Sequence, residues 1–142
     1  MLSTFGILDI PALSKLTWEI YNQCSSVAKD APDGFRNLTN DLESLHGALK
    51  TINDDVSSNL SFFERMDEDR KFMLERCISA SFETLHRLKD TLIRYRELGI
   101  EEGKVFWQRI KWSTQRTQIE NTRSKIMVHT CTLNLYMSSI GK

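Results

Sequence analysis

The chain has 142 residues, enough for one domain that buries roughly two-thirds of the surface of its unfolded form. Its 19 basic and 19 acidic residues give a formal net charge of zero, so we expect no nucleic-acid partner, which would need a strongly positive surface. The three cysteines, Cys24, Cys77 and Cys131, are odd in number and far apart, which favours reduced thiols in the cytoplasm over a secreted disulfide framework.

The first predicted helix begins at Asp9, a good N-cap residue, and its first turn accommodates Pro11. We expect it to end near Lys29 and to pack its large apolar surface against the other helices. Lys15 and Glu19 interrupt that surface, which excludes a helix that spans a bilayer. The apolar residues of this segment are Leu8, Ile10, Leu13, Leu16, Ile20, Tyr21, Cys24 and Val27.

The clearest turn signal in the chain is the run from Asp30 to Gly34, which reads Asp-Ala-Pro-Asp-Gly. Pro32 and Asp33 suit the start of a second helix, which we expect to extend to about Ser57. Apolar residues recur along it at steps of four and three, which keeps them on one stripe of a helix. The stripe consists of Leu38, Leu42, Leu45, Leu49, Ile52 and Val56.

A third helix is predicted to begin at the acidic residues Asp67, Glu68 and Asp69, because a helix amino terminus favours negative charge. We expect it to extend to Leu98, with Gly99 as the stop. Its stripe is formed by Leu74, Ile78, Ser81, Leu85, Leu88, Leu92 and Tyr95.

Residues 104–140 contain neither glycine nor proline, so they form either one helix or a short helix through Trp112 joined at a bend to a longer one. Thr117 and Glu120 have the spacing of a capping box, which favours the bend. The final stripe stays apolar almost to the end of the chain, which is typical of a domain taken from a larger protein. It contains Ile119, Thr122, Ile126, His129, Leu133, Tyr136 and Ile140.

Together these patterns predict an all-α fold, an antiparallel helical bundle of four main helices with a possible extra short helix, in a single domain over residues 1–142. We expect Met66, Met73, Met127 and Met137 to be core or seam residues. The predicted core includes Leu42, Leu45, Leu49, Leu85, Leu88, Leu92, Ile126 and Leu133.

The sequence contains no phosphate-binding loop, nucleophile elbow or Cys-x-x-Cys pair, and we predict a protein that is not an enzyme and needs no cofactor. One pattern points the other way, because two Glu-x-x-His pairs have the spacing of ligands in a di-metal carboxylate bundle. The residue between each Glu and His, Leu45 or Leu85, belongs to a core stripe, which turns the pairs toward solvent. We therefore expect no metal. The pairs are Glu43 with His46 and Glu83 with His86, and Glu19 and Glu120 would be the further carboxylates.

The densest aromatic and basic segment extends from residue 105 to 112, within a carboxyl-terminal part that carries seven basic residues against three acidic ones over positions 101–142. Tryptophan beside arginine and lysine is typical of an interface with membrane or protein. The alternative is that Trp107 and Trp112 cover one end of the bundle core. The residues concerned are Trp107, Arg109, Lys111, Trp112 and, one turn on, Arg116.

Several stretches together resemble one family. The chain begins with Phe-Gly-Ile-Leu-Asp-Ile at residues 5–10 and continues with Leu-Thr-Trp-Glu-Ile-Tyr at 16–21, Asp-Ala-Pro at 30–32 and Leu-Glu-Ser-Leu-His at 42–46. With residues 88–99, the 107–112 block and the final helix, this resembles the amino-terminal HeLo-like domain of fungal STAND (NLR-like) immune receptors, over nearly the whole chain.

The resemblance implies a cytosolic effector or adaptor module in programmed cell death or heterokaryon incompatibility, which precedes a nucleotide-binding or repeat region. The implied partners are further copies of the chain on activation and an anionic plasma-membrane surface. A purely structural oligomerisation domain and, less favoured, a di-metal protein remain the alternatives. The candidate membrane or oligomer interface consists of Leu8, Ile10, Leu13, Leu16, Trp107, Arg109, Lys111, Trp112 and Arg116.

Overall fold

A computed structural model describes residues 6–27, 33–58, 65–96 and 112–140 of the protein. After a 3-10 turn at Ile7–Asp9, these ranges form the helices α1 (Ile10–Val27), α2 (Asp33–Ser58), α3 (Glu68–Arg96) and α4 (Trp112–Ile140), without a strand in any described range. The predicted all-α bundle of four main helices is confirmed. The possible extra short helix falls largely in residues 97–111, outside the described residues.

Acidic side chains close the turns in front of α1 and α3. The backbone N–H of Asp9 donates to the Gly6 carbonyl at 2.9 Å, and its carboxylate accepts the Gly6 N–H at 2.7 Å. Asp67 caps α3, since its Oδ1 accepts the N–H of Arg70 at 2.8 Å. Glu68 and Asp69 follow in the first turn of α3, where the helix dipole favours negative charge.

Of the two alternatives for residues 104–140, the break that the spacing of Thr117 and Glu120 favours is absent, because α4 is continuous from Trp112 to Ile140. Residues 104–111 lie outside the described residues. Ile119, Ile126 and Leu133 are all buried on one side of this single helix. Packing of that uninterrupted stripe outweighs the local preference of a capping-box sequence, and no glycine or proline is present to break the helix.

Each helix packs against two others: α1 contacts α2 and α3, while α4 contacts α2 and α3. The four helices therefore follow one another around the bundle in the order α1, α2, α4, α3. Helices α1 and α2 are antiparallel. The Trp18 ring of α1 lies 4.8 Å from the His46 ring of α2, and Tyr21, one turn later in α1, donates a hydrogen bond to Glu43, one turn earlier in α2. At the other side of the bundle, α3 and α4 also run antiparallel, since the end of α4 lies beside the start of α3.

The core prediction is confirmed, since all eight residues named for it are buried. Buried hydroxyl groups are satisfied within their own helices: Thr17 donates to the Leu13 carbonyl at 2.8 Å, and Ser81 donates to the Cys77 carbonyl at 2.7 Å. The interior of the bundle thus accepts these polar groups without leaving their protons unbonded.

Candidate functional site

The amino-terminal candidate residues divide between core and surface. Ile10, Leu13 and Leu16 lie in the core, with exposed fractions of 0, 0 and 7%. Leu8 is 82% exposed in the turn before α1. Apart from Leu8, this apolar surface can reach a membrane or another copy only if α1 separates from α2 and α3.

The aromatic and basic candidates fall at the edge of the described chain. Trp107, Arg109 and Lys111 lie outside the described residues, and the structure gives Trp112 and Arg116 only as backbone in the first turns of α4. The predicted interface role of these five residues stays a prediction.

Further along α4, one basic residue is committed to an internal contact. Arg123 Nε donates to Asp41 Oδ2 of α2 at 2.7 Å, with the two side chains 27 and 15% exposed. A charge-assisted bond between half-buried groups joins α2 to α4 and leaves Arg123 poorly placed for contact with lipid phosphates.

The two Glu-x-x-His pairs make contacts at the bundle exterior. Glu43 accepts a hydrogen bond from Tyr21 at 3.3 Å, and Glu83 accepts one from Arg87 at 2.7 Å. The ring of His46 packs on Trp18, and partial burial, with a smaller effect of Lys50, lowers the pKa of that histidine. Within the described ranges, no three His, Cys, Asp or Glu side chains are grouped so that they could hold a metal ion.

His129 is a buried packing residue that joins α4 to α3. Its Nε2 lies 3.0 Å from Thr84 Oγ1, and the Thr84 hydroxyl donates to the Ala80 carbonyl at 2.9 Å. Because that donation uses the only hydroxyl proton, Nε2–H of His129 is the donor to Thr84. Burial, with a smaller effect of Lys125, lowers the pKa of His129 and favours the neutral ring.

An apolar groove of about 340 Å³ opens between the start of α3 and the end of α4. Leu74, Cys77 and Leu133 form its floor, since each is buried, while Met73 and Leu135 are 60 and 72% exposed at its edges. Tyr136 donates to the Met66 sulfur at the same end of the bundle, and burial raises the pKa of Tyr136 to about 12. The groove thus has a buried apolar floor and exposed apolar edges, and Arg70 is the one charged residue among those that line it.

Exposed apolar residues concentrate on α3 and α4, and the sequence reasoning missed them. It assigned Met73 and Met127 to the core or seams, whereas they are 60 and 51% exposed; Met66 is buried and Met137 is partly buried, as predicted. The assignment failed because apolar spacing along a helix does not show which of two apolar faces meets the core. The larger exposed apolar side chains of α3 and α4 are Phe72, Met73, Met127, Val128 and Leu135.

Across the described helices, none combines the length and apolar character needed to cross a membrane. No family model, curated protein or solved structure matches the chain.

Proposed function

We propose that this bundle is a non-enzymatic effector or adaptor module that acts when several copies of it are brought together, as the HeLo-like resemblance implies. The observation that carries the proposal is the exposed apolar surface on α3 and α4, where Phe72, Met73 and Leu135 are 59, 60 and 72% exposed. Exposed apolar patches on folded domains mark sites of interaction.

The module belongs, in this proposal, to a fungal STAND-type receptor of programmed cell death, and it acts in the cytoplasm or at the plasma membrane. Clustering through the rest of the parent chain concentrates the bundles. Helix α1 then leaves its place against α2 and α3, so that Ile10, Leu13 and Leu16 meet lipid or neighbouring copies. Basic residues before and at the start of α4 hold the assembly at an anionic surface, at about 1 kcal/mol per residue close to the lipid.

The burial pattern decides which substitutions can test this mechanism. Leu13 and Leu16 are core residues, so a glutamate there would unfold the bundle whatever its function. Leu8 precedes α1 and is 82% exposed. Leu8→Glu therefore changes the apolar residue in front of α1 without placing a charge in the core. For the basic region, Lys111→Glu/Arg116→Glu is compared with the control Lys50→Glu/Arg87→Glu. Both double variants reverse two positive charges, and the control acts on exposed residues of α2 and α3.

The experiment fuses the chain to an oligomeric tag and measures dye release from liposomes that contain anionic lipid. We expect leakage from the clustered wild type and from the Lys50/Arg87 control, and less leakage from Leu8→Glu and from the Lys111/Arg116 variant. Absence of leakage from the clustered wild type would refute the membrane step and leave a purely structural oligomerisation domain. Equal leakage from all four proteins would refute the roles of Leu8 and the basic residues.

A further inference from the structure

Helix α4 carries apolar side chains on two opposite faces. One face holds Ile126 and Leu133 in the core. The other holds Val128, Cys131 and Leu135 at steps of three and four, with Val128 61% and Leu135 72% exposed and Cys131 also exposed. A helix of a globular domain normally presents polar residues outward, so a second apolar stripe indicates a second packing partner. We call Val128, Cys131 and Leu135 the outer stripe.

The outer stripe lies in a part of the chain without charged residues. Positions 126–140 contain no Asp, Glu, Lys or Arg, and within this range the exposed neighbours of the stripe are Met127, Asn134 and Ser138. The nearest charged residue of α4 is Lys125, one turn before Val128. Centres of protein interfaces are depleted of charge in the same way. An anionic membrane surface would instead attract a basic face, so the composition favours a protein partner over lipid.

We infer that the outer stripe is the contact between two copies of this chain, whose α4 helices pack antiparallel across a twofold axis near Cys131. This contact identifies the surface through which copies associate in the proposed function, and the inference rests on that proposed function. Two identical charged faces repel each other when they meet, whereas residues 126–140 of α4 include no charged side chain. In the antiparallel register Val128 of one copy lies opposite Leu135 of the other, and the two Cys131 thiols approach each other at the axis.

Charge selects the antiparallel arrangement over the parallel one. A parallel pair would place the exposed Lys125 of one copy beside Lys125 of the other in the same register. In the antiparallel pair the two Lys125 residues are separated by about 20 Å along the helix axis, from a rise of 1.5 Å per residue. That separation exceeds the screening length of about 8 Å at physiological salt, so their repulsion is small.

The interface is small, and this fits a contact that forms on clustering. Between Met127 and Ser138 the helix extends about 18 Å, and the apolar groove edged by Leu135 and Met73 continues the surface toward α3. A strip about 18 Å long and about 10 Å wide, the diameter of a helix, covers about 180 Å², well below the roughly 800 Å² that each partner of a stable complex contributes. The isolated chain therefore dimerises weakly, and the contact becomes populated when the parent protein concentrates its copies.

The native thiol at the axis provides the test. Under mild oxidation at high protein concentration, we expect wild type to form a covalent dimer through Cys131 and Cys131→Ser to form none. The other two thiols do not compete, because Cys24 and Cys77 are buried and burial raises the pKa of both, that of Cys24 to about 12. Ser25→Cys in the Cys131→Ser background places a thiol at an exposed position of α1 and measures the rate of chance collisions.

A charge exchange then tests the register. Val128→Lys or Leu135→Glu alone should lower the crosslinking rate about tenfold, because each places a charge against an apolar partner. An equimolar mixture of the two variants at the same total concentration should recover about half the wild-type rate. Half of the encounters are then between unlike variants, in which lysine at 128 faces glutamate at 135. Ala12→Lys, a new charge at an exposed position of α1, should crosslink like wild type.

Each outcome bears on the inference. A wild-type rate no higher than the Ser25→Cys collision rate would overturn it, and so would unchanged crosslinking by Val128→Lys. Failure of the mixture to recover would overturn the antiparallel register. Loss of liposome binding by Val128→Lys without any Cys131 dimer would identify lipid as the occupant. If Cys131 crosslinks but the tagged wild type releases no dye, the membrane function is refuted and the dimer interface stands. If the tagged wild type releases dye but Cys131 does not crosslink, the dimer interface is refuted and the membrane function stands.

Discussion

Leu45→Ala is the most informative test of the packing, because Leu45 is fully buried in the stripe of α2. The substitution removes three carbon atoms, at about 0.8 kcal/mol for each, and leaves a cavity. We therefore expect a loss of about 3 kcal/mol in the free energy of unfolding, within the range of about 2 to 5 kcal/mol for such sites. With a urea dependence of about 2 kcal/mol per molar, the midpoint should fall by about 1.5 M.

The matched control is Leu135→Ala on α4, where the same atoms are removed from a side chain that is 72% exposed. At low concentration, where the chain is monomeric, its unfolding free energy should change by no more than about 0.5 kcal/mol. Urea titrations followed by far-ultraviolet circular dichroism measure both variants. A midpoint for Leu45→Ala within about 0.25 M of wild type, or an equal fall for Leu135→Ala, would refute the assignment of core and surface.

Three further predictions concern polar contacts between helices. Thr84→Val leaves the buried Nε2–H of His129 without an acceptor and should cost about 1 to 3 kcal/mol, which thermal or urea unfolding would show. Because the pKa of folded His129 is lowered, the unfolded chain takes up a proton first as the pH falls below about 6.5. Stability should therefore decline between pH 7.5 and 5.5, and less steeply in His129→Gln; equal slopes would contradict this. In a double-mutant cycle, Asp41→Ala and Arg123→Ala should show a coupling of about 1 kcal/mol or more, and additive losses would mean that the 2.7 Å contact stabilises nothing.

The fold was largely predictable because three of the helices carry one dominant apolar stripe each. The stripe of α2 from Leu38 to Val56 is buried at every position, so its periodicity alone located the core. The turn sequence before Asp33 and the acids around Asp67 located two helix starts, since both depend on local backbone chemistry. The capping-box spacing at Thr117 favoured a break that is absent, because that signal is local, whereas α4 is held by packing of Ile119, Ile126 and Leu133.

The candidate site was harder to predict, because periodicity does not show which apolar residues remain outside. Val128, Cys131 and Leu135 repeat at helical steps just as Ile126, His129 and Leu133 do, and only the arrangement of α2 and α3 shows which set is covered. The signal that was present was the absence of charge over residues 126–140. A helical segment of 15 residues without a charged side chain on any face indicates, from its sequence alone, that a second partner covers the side turned away from the core.

Sedimentation equilibrium of the isolated chain over a wide concentration range tests the central claim, that this bundle associates with its own copies through α4. We expect a reversible monomer–dimer equilibrium for wild type, a monomer for Val128→Lys and for Leu135→Glu, and a dimer again in their equimolar mixture. A wild type that stays monomeric at every concentration, or variants that dimerise as strongly as wild type, would contradict it.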